Sequence, residues 1–200
     1  MRVIAGRWKG RSLAAPIGST TRPTADRARE AIFNVLAHAP WSQGLQDKRV
    51  LDLFAGTGAL GFEALSRGAS FCLFVETDEA ARGAIRRSIE SLDAFGETRV
   101  HRRDAADLGA KPAGLGEAFD LVFLDPPYNK GLVMRALQHV AQGGWLAPTA
   151  LIVAETSSAE DLSAPGFALL DARVYGAAKV WFLSVQTQGE GAPASGSADG

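Results

Sequence analysis

The sequence has few of the residues that cross-link a chain, bind metals or anchor a protein in a membrane. Its 200 residues include one cysteine and three scattered histidines. Cys72 has no partner for an internal disulfide, and the histidines lack metal-ligand spacing, so we expect no disulfide and no metal. Apolar runs are too short for a membrane helix, and no apolar segment follows Arg2 as in a signal peptide. We therefore expect one globular domain that works in the reducing cytoplasm.

Positive charge is scarce in most of the chain and concentrated at its beginning. The net charge is −1, whereas seven basic and two acidic side chains give residues 1–30 a charge of +5. This asymmetry is typical of contact with a polyanion, although a solvated edge strand has the same composition. Trp8 could stack on an unpaired base. The candidate nucleic-acid contacts are Arg2, Arg7, Trp8, Lys9, Arg11, Arg22 and Arg27.

The most informative motif is Asp125-Pro126-Pro127-Tyr128, which follows an apolar run typical of a buried strand. Proline fixes φ and has no backbone donor, so two prolines hold the loop in one shape and leave its carbonyls free. The Asp125 carboxylate, the Pro126 carbonyl and the Tyr128 ring suit a planar base with an exocyclic amine. Taken alone, the motif could equally be a turn after a strand.

A second motif is rich in glycine and lies between an expected strand and an expected helix. Residues 49–54 read as the strand, and Gly56-x-Gly58-x-x-Gly61 follows, as in the first unit of a nucleotide-binding α/β domain. The same pattern occurs in NAD and FAD sites and is weak alone. Asp52 favours S-adenosylmethionine, because its carboxylate could hold water or the amino group of the methionine part.

Acidic residues at two further strand ends complete the expected cofactor site. Glu76 follows the glycines by about 20 residues, where an acid can accept both ribose hydroxyls. Asp104 and Ala105 follow a short third strand, in a turn that would lie over the adenine, although Asp104 could equally be a plain turn acid. The candidate cofactor-binding residues are Asp52, Phe54, Gly56, Gly58, Glu76, Asp104 and Ala105.

Alternating strand and helix patterns predict an α/β fold with a mostly parallel sheet. A hairpin in residues 1–20 and a helix from Thr24 to about His38 precede the sheet. The spacing of the apolar residues in this helix puts Arg27 and Arg29 off its buried stripe. We expect a basic hairpin and helix over 1–40 for substrate contact, a cofactor-binding domain over 41–186, and a disordered tail over 187–200.

These motifs together resemble the S-adenosylmethionine-dependent methyltransferases of the D/N-P-P-Y/F type, which methylate exocyclic amines. The chain is most similar to the bacterial 16S rRNA guanine-N2 methyltransferase family, small-subunit rRNA methyltransferase D. The resemblance covers residues 1–185 and is most specific in the first eleven residues and in Thr21-Arg22-Pro23-Thr24. The glycine loop and Asp125-Pro126-Pro127-Tyr128 are shared with many methyltransferases.

The resemblance implies a class I, Rossmann-like fold with a seven-stranded, mostly parallel sheet and helices on both faces, in an order similar to 3-2-1-4-5-7-6. It also implies methyl transfer from S-adenosylmethionine to N2 of a guanine, with S-adenosylhomocysteine as product. Asp125, Pro126 and Tyr128 would act in catalysis. The expected partner is 16S rRNA in a small-subunit assembly particle, and the expected state is a monomer.

Several other functions are compatible with the same motifs at this level. Asp125-Pro126-Pro127-Tyr128 does not separate a guanine-N2 enzyme from a DNA adenine or cytosine amino-methyltransferase, or from a protein-glutamine methyltransferase. The glycine loop alone would also fit an NAD-binding oxidoreductase. A non-catalytic RNA-binding factor could keep the fold as well, although intact Asp52, Glu76 and Asp125 argue against that interpretation.

Overall fold

The computed structural model describes residues 1–16 and 23–186, with the side chains of the first helix described from Asp26 onward. The expected cap at Thr24, the candidate contact Arg22 and the expected tail over 187–200 lie outside these residues or side chains. The strands are β1 (Arg49–Leu53), β2 (Phe71–Val75), β3 (Thr98–His101), β4 (Phe119–Leu124), β5 (Leu146–Ser157), β6 (Phe167–Tyr175) and β7 (Ala178–Val185).

The seven strands form one sheet in the order β3-β2-β1-β4-β5-β7-β6. The five strands from β3 to β5 are parallel, and β7 runs antiparallel between β5 and β6. The α/β class and the expected strand order are confirmed. In such a sheet the strand order reverses beside β1, so ligands bind where the carboxyl ends of β1 and β4 diverge.

Four helices flank the sheet: α1 (Pro23–His38), α2 (Ala59–Ser66), α3 (Glu79–Leu92) and α4 (Leu132–Gln142). Short 3₁₀ turns lie at Phe95–Glu97, Ala105–Asp107 and Ala113–Leu115. Asp78 caps α3, because its carboxylate accepts the N–H of Ala81 at 2.7 Å. None of the helices in the described ranges is long and apolar enough to cross a membrane.

The alternating pattern also predicts strands over 49–54, 71–76, 119–125 and 150–155, and the first three end one residue earlier in the structure. Phe54, Glu76 and Asp125 lie just after β1, β2 and β4 and not within them. By contrast, β5 is longer than the expected 150–155, and a register shift between Phe119 and Leu121 of β4 accommodates its additional residues. The functional candidates therefore lie in loops immediately after rigid strands, where a parallel sheet places its ligand contacts.

Two apolar clusters cover the two faces of the sheet. One contains the buried side chains of α4 together with Trp145. The other contains Phe33 of α1 and Phe62 of α2, together with Val3, Trp8 and Leu13 of the first sixteen residues. These sixteen residues, which we call the N-terminal arm, thus belong to the same hydrophobic core as the sheet.

The N-terminal arm is a short antiparallel hairpin. A bridge joins Arg2 and Ser12, Val3 N donates to Arg11 O at 3.0 Å, and Gly10 N donates to Val3 O at 2.9 Å. The expected hairpin is therefore present, although its two limbs are paired over only a few residues. Its tip is bound to α2, since Arg7 N donates to the carbonyl of Ser66 at 2.8 Å. Backbone groups that a longer ribbon would pair with each other are instead paired with this helix.

A buried glutamate of α2 fixes the arm to the sheet domain. Glu63 is 1% exposed, and its carboxylate accepts the backbone N–H groups of Ile4 at 2.7 Å and Ala5 at 3.0 Å. Arg67 pairs with the same carboxylate at 2.8 Å. A buried carboxylate requires this number of partners, because an unpaired one would carry a large desolvation cost.

Candidate functional site

A cavity of about 460 Å³ opens at the carboxyl ends of β1 and β4. Its walls come from the start of the N-terminal arm, α1, the glycine loop, the loop after β4, the end of β5 and the turn between β6 and β7. This volume is in the range of sites for small organic cofactors. The cavity lies where the switch in strand order predicts a ligand site.

The glycine loop presents its backbone to this cavity. Phe54, Gly56 and Gly58 have φ values of 59°, 54° and 76°, in the left-handed region that glycine tolerates and phenylalanine rarely adopts. A Cβ at Gly56 would meet only the Phe54 carbonyl, at 4.0 Å, so the loop is open to a ligand there. At Gly61 a Cβ would lie 2.4 Å from the Phe74 ring, so this glycine permits close helix–strand packing.

Asp52 lies inside the cavity wall at the end of β1. Its Oδ2 accepts the N–H of Gly61 at 3.0 Å, which ties β1 to the first turn of α2. Burial raises the pKa of Asp52 well above its usual value, and the charges of Asp125 and Glu76 add to this, while the Gly61 hydrogen bond opposes it. A cation in the cavity would therefore stabilise the ionised carboxylate.

The carboxylate of Glu76 is held by two backbone donors. Oε2 accepts the N–H of Gly56 at 2.8 Å, and Oε1 accepts the N–H of Asp78 at 2.8 Å. This places an acceptor-only group beside the glycine loop, with lone pairs still available for hydroxyl donors. Ribose binding by Glu76 stays a prediction.

The other two candidates for the cofactor's adenine side lie in a turn of their own. Asp104 accepts the N–H of Ala106 at 2.8 Å and caps the 3₁₀ turn, while Ala105 is buried. Neither residue lines the cavity described above. The side-chain hydrogen bond matches the plain turn acid, and the contact to adenine stays a prediction.

The loop after β4 carries the acid and the ring expected for base binding. Asp125 is accessible to solvent within the cavity, and Pro126 is buried behind it. Enclosure by the surrounding protein raises the pKa of Asp125 to about 7, and the charge of Glu155 adds to the effect. Tyr128 is 36% exposed, and its hydroxyl donates a hydrogen bond to Glu155.

Glu155 is a cavity residue that the sequence analysis missed. Leu124 of β4 pairs with Ala154 of β5, so Asp125 and Glu155 are the next residues along two neighbouring strands. Both line the cavity. Burial raises the pKa of Glu155, and the hydrogen bond from Tyr128 opposes that shift. The strand-end rule that identified Asp52, Glu76 and Asp125 would have identified Glu155 too, had it been applied to the fifth strand.

Arg29 of α1 also lines the cavity, contrary to the expectation that it lies off the buried stripe. It is 5% exposed, and its Nη2 donates to the carbonyl of Arg2 at 2.9 Å and to Asp26 Oδ1 at 3.1 Å. Its spacing from Ile32 and Leu36 puts it on the same helix face as those buried side chains. The sequence-based expectation defined the buried face of α1 by its apolar residues alone, and so it left out an arginine on the same face.

The structure corrects the expectation that Trp8 stacks on an unpaired base. Trp8 is 8% exposed, its N–H donates to Ser66 Oγ at 3.0 Å, and the guanidinium of Arg7 lies 4.0 Å from the centre of its ring. The ring is therefore part of the core, with one face covered by the guanidinium of Arg7. No face of Trp8 is available to a base in this arrangement.

The basic candidates of the arm differ in how far they are already engaged. Arg7 pairs with Glu97, and Arg2 donates to the carbonyl of Gly10 at 2.9 Å. Arg11 donates to the carbonyl of Ser91 at 2.5 Å. Lys9 of the arm and Arg27 of α1 are exposed. Three of the arm's four cations therefore bind protein groups, and Lys9 is exposed to solvent.

Metal ligands and the cysteine are the two remaining candidate site groups. Within the described ranges, no group of three or more His, Cys, Asp or Glu side chains is arranged to hold a metal ion. Cys72 is buried, and burial raises the pKa of its thiol well above the usual value. A buried thiol with a raised pKa is poorly reactive.

Similarity to known proteins extends over most of the chain. The family described as conserved hypothetical protein 95 matches residues 1–184. Ribosomal RNA small subunit methyltransferase D of Escherichia coli is 39% identical over 156 residues, which are 78% of this chain and 74% of that protein. The protein of the same name from Haemophilus influenzae is 37% identical over 166 residues, covering 82% and 83%. The solved structure of the E. coli protein yhhF has a TM-score of 0.78 at 35% identity, covering 94% of this chain and 99% of that one.

Proposed function

Since the chain belongs to the family of ribosomal RNA small subunit methyltransferase D and is a class I methyltransferase, we propose that it methylates the N2 amine of a guanine in 16S rRNA with S-adenosylmethionine. One observation carries the proposal. The glycine loop, Asp125 and Tyr128 line a single cavity, so a cofactor and a base could meet there.

The carboxyl groups that line the cavity fit a cationic cofactor. Three carboxyl side chains, Asp52, Asp125 and Glu155, line it, and the pKa of each is raised mainly by burial. S-adenosylmethionine carries an ammonium and a sulfonium, and it supplies an electrophilic methyl group when bound. Asp52 would face the ammonium and Glu76 the ribose hydroxyls, while Asp104 and Ala105 would contact the adenine. Phe54, Gly56 and Gly58 would provide the backbone cradle.

The loop after β4 would orient the acceptor amine. The N2 amine of guanine is a weak nucleophile, because its lone pair is delocalised into the ring. Asp125 and the Pro126 carbonyl would each accept a hydrogen bond from one N–H of this amine. This would direct the nitrogen lone pair out of the plane of the guanine ring and favour a tetrahedral nitrogen. The gain comes from positioning and electrostatics. Asp125 would take a proton only after the nitrogen has become cationic.

The adjacent carboxylates of Asp125 and Glu155 favour guanine over the other amino bases. Guanine presents the N1–H and the N2 amine side by side, so two neighbouring acceptors fit that edge. Adenine and cytosine present a ring acceptor beside their amine, which an ionised Glu155 would repel. The Tyr128 hydroxyl, which donates to Glu155, helps to keep that carboxylate ionised and holds the ring in position to stack on the base.

Substrate form, oligomeric state and location are also part of the proposal. We place the acceptor in a small-subunit assembly particle, with residues 1–40 contacting RNA and 41–186 holding the cofactor, in a monomer that works in the cytoplasm. A target base within a helix would have to turn out of its stack to enter the cavity, so loops and strand ends are cheaper targets.

Transfer of labelled methyl groups tests the proposal directly. Unmodified small-subunit particles, naked rRNA and duplex DNA are each incubated with labelled S-adenosylmethionine, and nuclease digestion identifies the product base. N2-methylguanine in rRNA is the expected product, and the better of the two RNA acceptors identifies the substrate form. Label in adenine or in DNA would overturn the assignment of base and substrate while leaving methyl transfer intact.

A variant of Glu155 sharpens the assignment of the base. Glu155→Ala should lose activity on guanine through the missing N1–H acceptor, whereas Glu117→Ala, at an exposed carboxylate outside the cavity lining, is the control. Once the site is mapped, replacing its guanine by 2,6-diaminopurine keeps the N2 amine and removes the N1–H. The wild type should prefer guanine, and the variant should not. A wild type that treats both bases alike would contradict the role of Glu155.

A further inference from the structure

Arg29 combines three properties that its structural bonds do not account for. It is buried, it lines the cavity, and both hydrogen bonds that it donates within the described residues use Nη2. Its Nε is buried without a hydrogen-bond partner there. Burying an arginine with part of its guanidinium unpaired is costly, so a partner supplied by a ligand would remove a penalty that the protein alone carries.

The charged side chains of the cavity complement those of S-adenosylmethionine in sign. Among the described residues that line it, Arg29 has the only basic side chain, against the carboxyl groups of Asp52, Asp125 and Glu155. S-adenosylmethionine carries two positive groups, the ammonium and the sulfonium, and one negative group, the α-carboxylate. The carboxylate is the one ligand group that the three acids would repel.

We propose that Arg29 binds the α-carboxylate of S-adenosylmethionine and so makes α1 part of the cofactor site. The guanidinium is the group best suited to a carboxylate, because its donors match the two oxygens in a planar fork. This assignment rests on the cofactor named under the proposed function and not on which base is methylated. It gives a cofactor role to a basic residue of the first thirty that was not among the candidate RNA contacts.

A purely structural role for Arg29 is the main alternative. Its bonds to the Arg2 carbonyl and to Asp26 hold the start of the arm against α1. Loss of these bonds would disturb the cavity in general and weaken every ligand alike. A carboxylate-binding role instead weakens only ligands that carry the carboxylate. A cycle that changes both the residue and the ligand therefore separates the two roles.

The experiment is a calorimetric titration with S-adenosylhomocysteine and with its decarboxylated analogue. The wild type should bind S-adenosylhomocysteine about 10- to 100-fold more tightly than the analogue, as expected for one charge-assisted pair. In Arg29→Met this preference should fall to within about threefold, with affinity for the analogue nearly unchanged. Arg29→Lys should retain part of the preference, and Arg86→Met, at an exposed position of α3, should retain all of it.

Two results would overturn the proposal. If Arg29→Met weakens both ligands by the same factor, the residue is structural. If the preference for S-adenosylhomocysteine persists unchanged in Arg29→Met, the carboxylate binds elsewhere, and a loss of rRNA affinity in that variant would assign Arg29 to the RNA. The titration uses no RNA, so it gives a result even if methyl transfer to guanine is not found.

Discussion

The carboxyl ends of the strands and the N-terminal arm both carry charged residues, but the fold uses them in opposite ways. At the strand ends, Asp52, Asp125 and Glu155 face an open cavity, and Asp52 and Glu155 each accept one protein hydrogen bond while keeping further lone pairs for a ligand. In the arm, Arg2, Arg7 and Arg11 are bonded to protein groups and line no part of that cavity. Charge in a sequence therefore indicates function only when the fold also turns that charge toward a ligand site.

The largest effect should come from removing the acid of the loop after β4. Asp125→Ala should lower methyl transfer by about 10²–10³-fold, as expected for the loss of a preorganised acceptor, and change S-adenosylhomocysteine affinity little. Asp171→Ala removes a carboxylate that pairs with Arg173 on β6 and should leave both quantities unchanged. Single-turnover transfer and calorimetry measure the two effects. Near-normal transfer by Asp125→Ala would remove this residue from the mechanism.

The next largest effect concerns how much the contact between the arm and α2 contributes to the free energy of unfolding. Gly6 and Gly10 have φ values of 80° and 82°, but a Cβ at Gly6 would lie 1.8 Å from the Ser66 carbonyl oxygen, whereas one at Gly10 meets nothing within 4 Å. Both alanine variants carry the same backbone strain, and only Gly6→Ala adds a clash. Gly6→Ala should therefore be about 1–3 kcal/mol less stable than Gly10→Ala in urea unfolding. Equal stability would mean that the contact with α2 is not fixed.

The acidity of the cavity should appear in the pH profile. If transfer requires ionised Asp125, kcat/KM for S-adenosylmethionine should rise about tenfold per pH unit below the pKa of about 7 and level off above it. The sign follows because a carboxylate is present only above its pKa. With cofactor and RNA both saturating, the midpoint should move to lower pH, since a bound cation favours the ionised form. A flat profile between pH 5 and 8 would contradict this role for Asp125.

The smallest effect distinguishes the engaged cations of the arm from the exposed ones. Lys9→Gln and Arg27→Gln should each weaken rRNA binding and reduce its salt slope by about 1, because each removes one phosphate contact. Arg7→Gln should instead cost up to about 1 kcal/mol of stability through the lost pair with Glu97. Arg173→Gln, on β6, is the control. Unchanged salt slopes in the first two variants would remove the arm and α1 from the RNA surface.

The parallel sheet and most of the strand-end acids could be predicted because they follow from local rules, whereas the strand order was implied by the family resemblance. A buried apolar run ends, an acid or a glycine follows, and parallel strands bring such ends to one edge of a sheet. Asp52, Glu76 and Asp125 were found in this way. Glu155 ends the expected fifth strand, so the same rule could have identified it, although β5 continues to Ser157.

The position of the arm could not be predicted in the same way. The burial of Trp8 depends on Ser66 and Arg7, and the arm's seat on α2 depends on Glu63, more than fifty residues away in sequence. Tertiary contacts of this kind leave no periodic signal. Composition alone therefore indicated a surface for RNA, whereas several of these side chains hold the arm to the rest of the protein.

The hydrogen bonds between the arm and Glu63 have a consequence for the binding of RNA and of the cofactor. Glu63 holds Ile4 and Ala5, and it lies on α2, the helix that begins at the glycine loop. A conformational change of the arm on RNA binding would therefore also change the glycine loop, which we propose binds the cofactor. By thermodynamic linkage we expect RNA and S-adenosylhomocysteine to alter each other's affinity by one common factor, and variants at Glu63 to bring that factor toward unity.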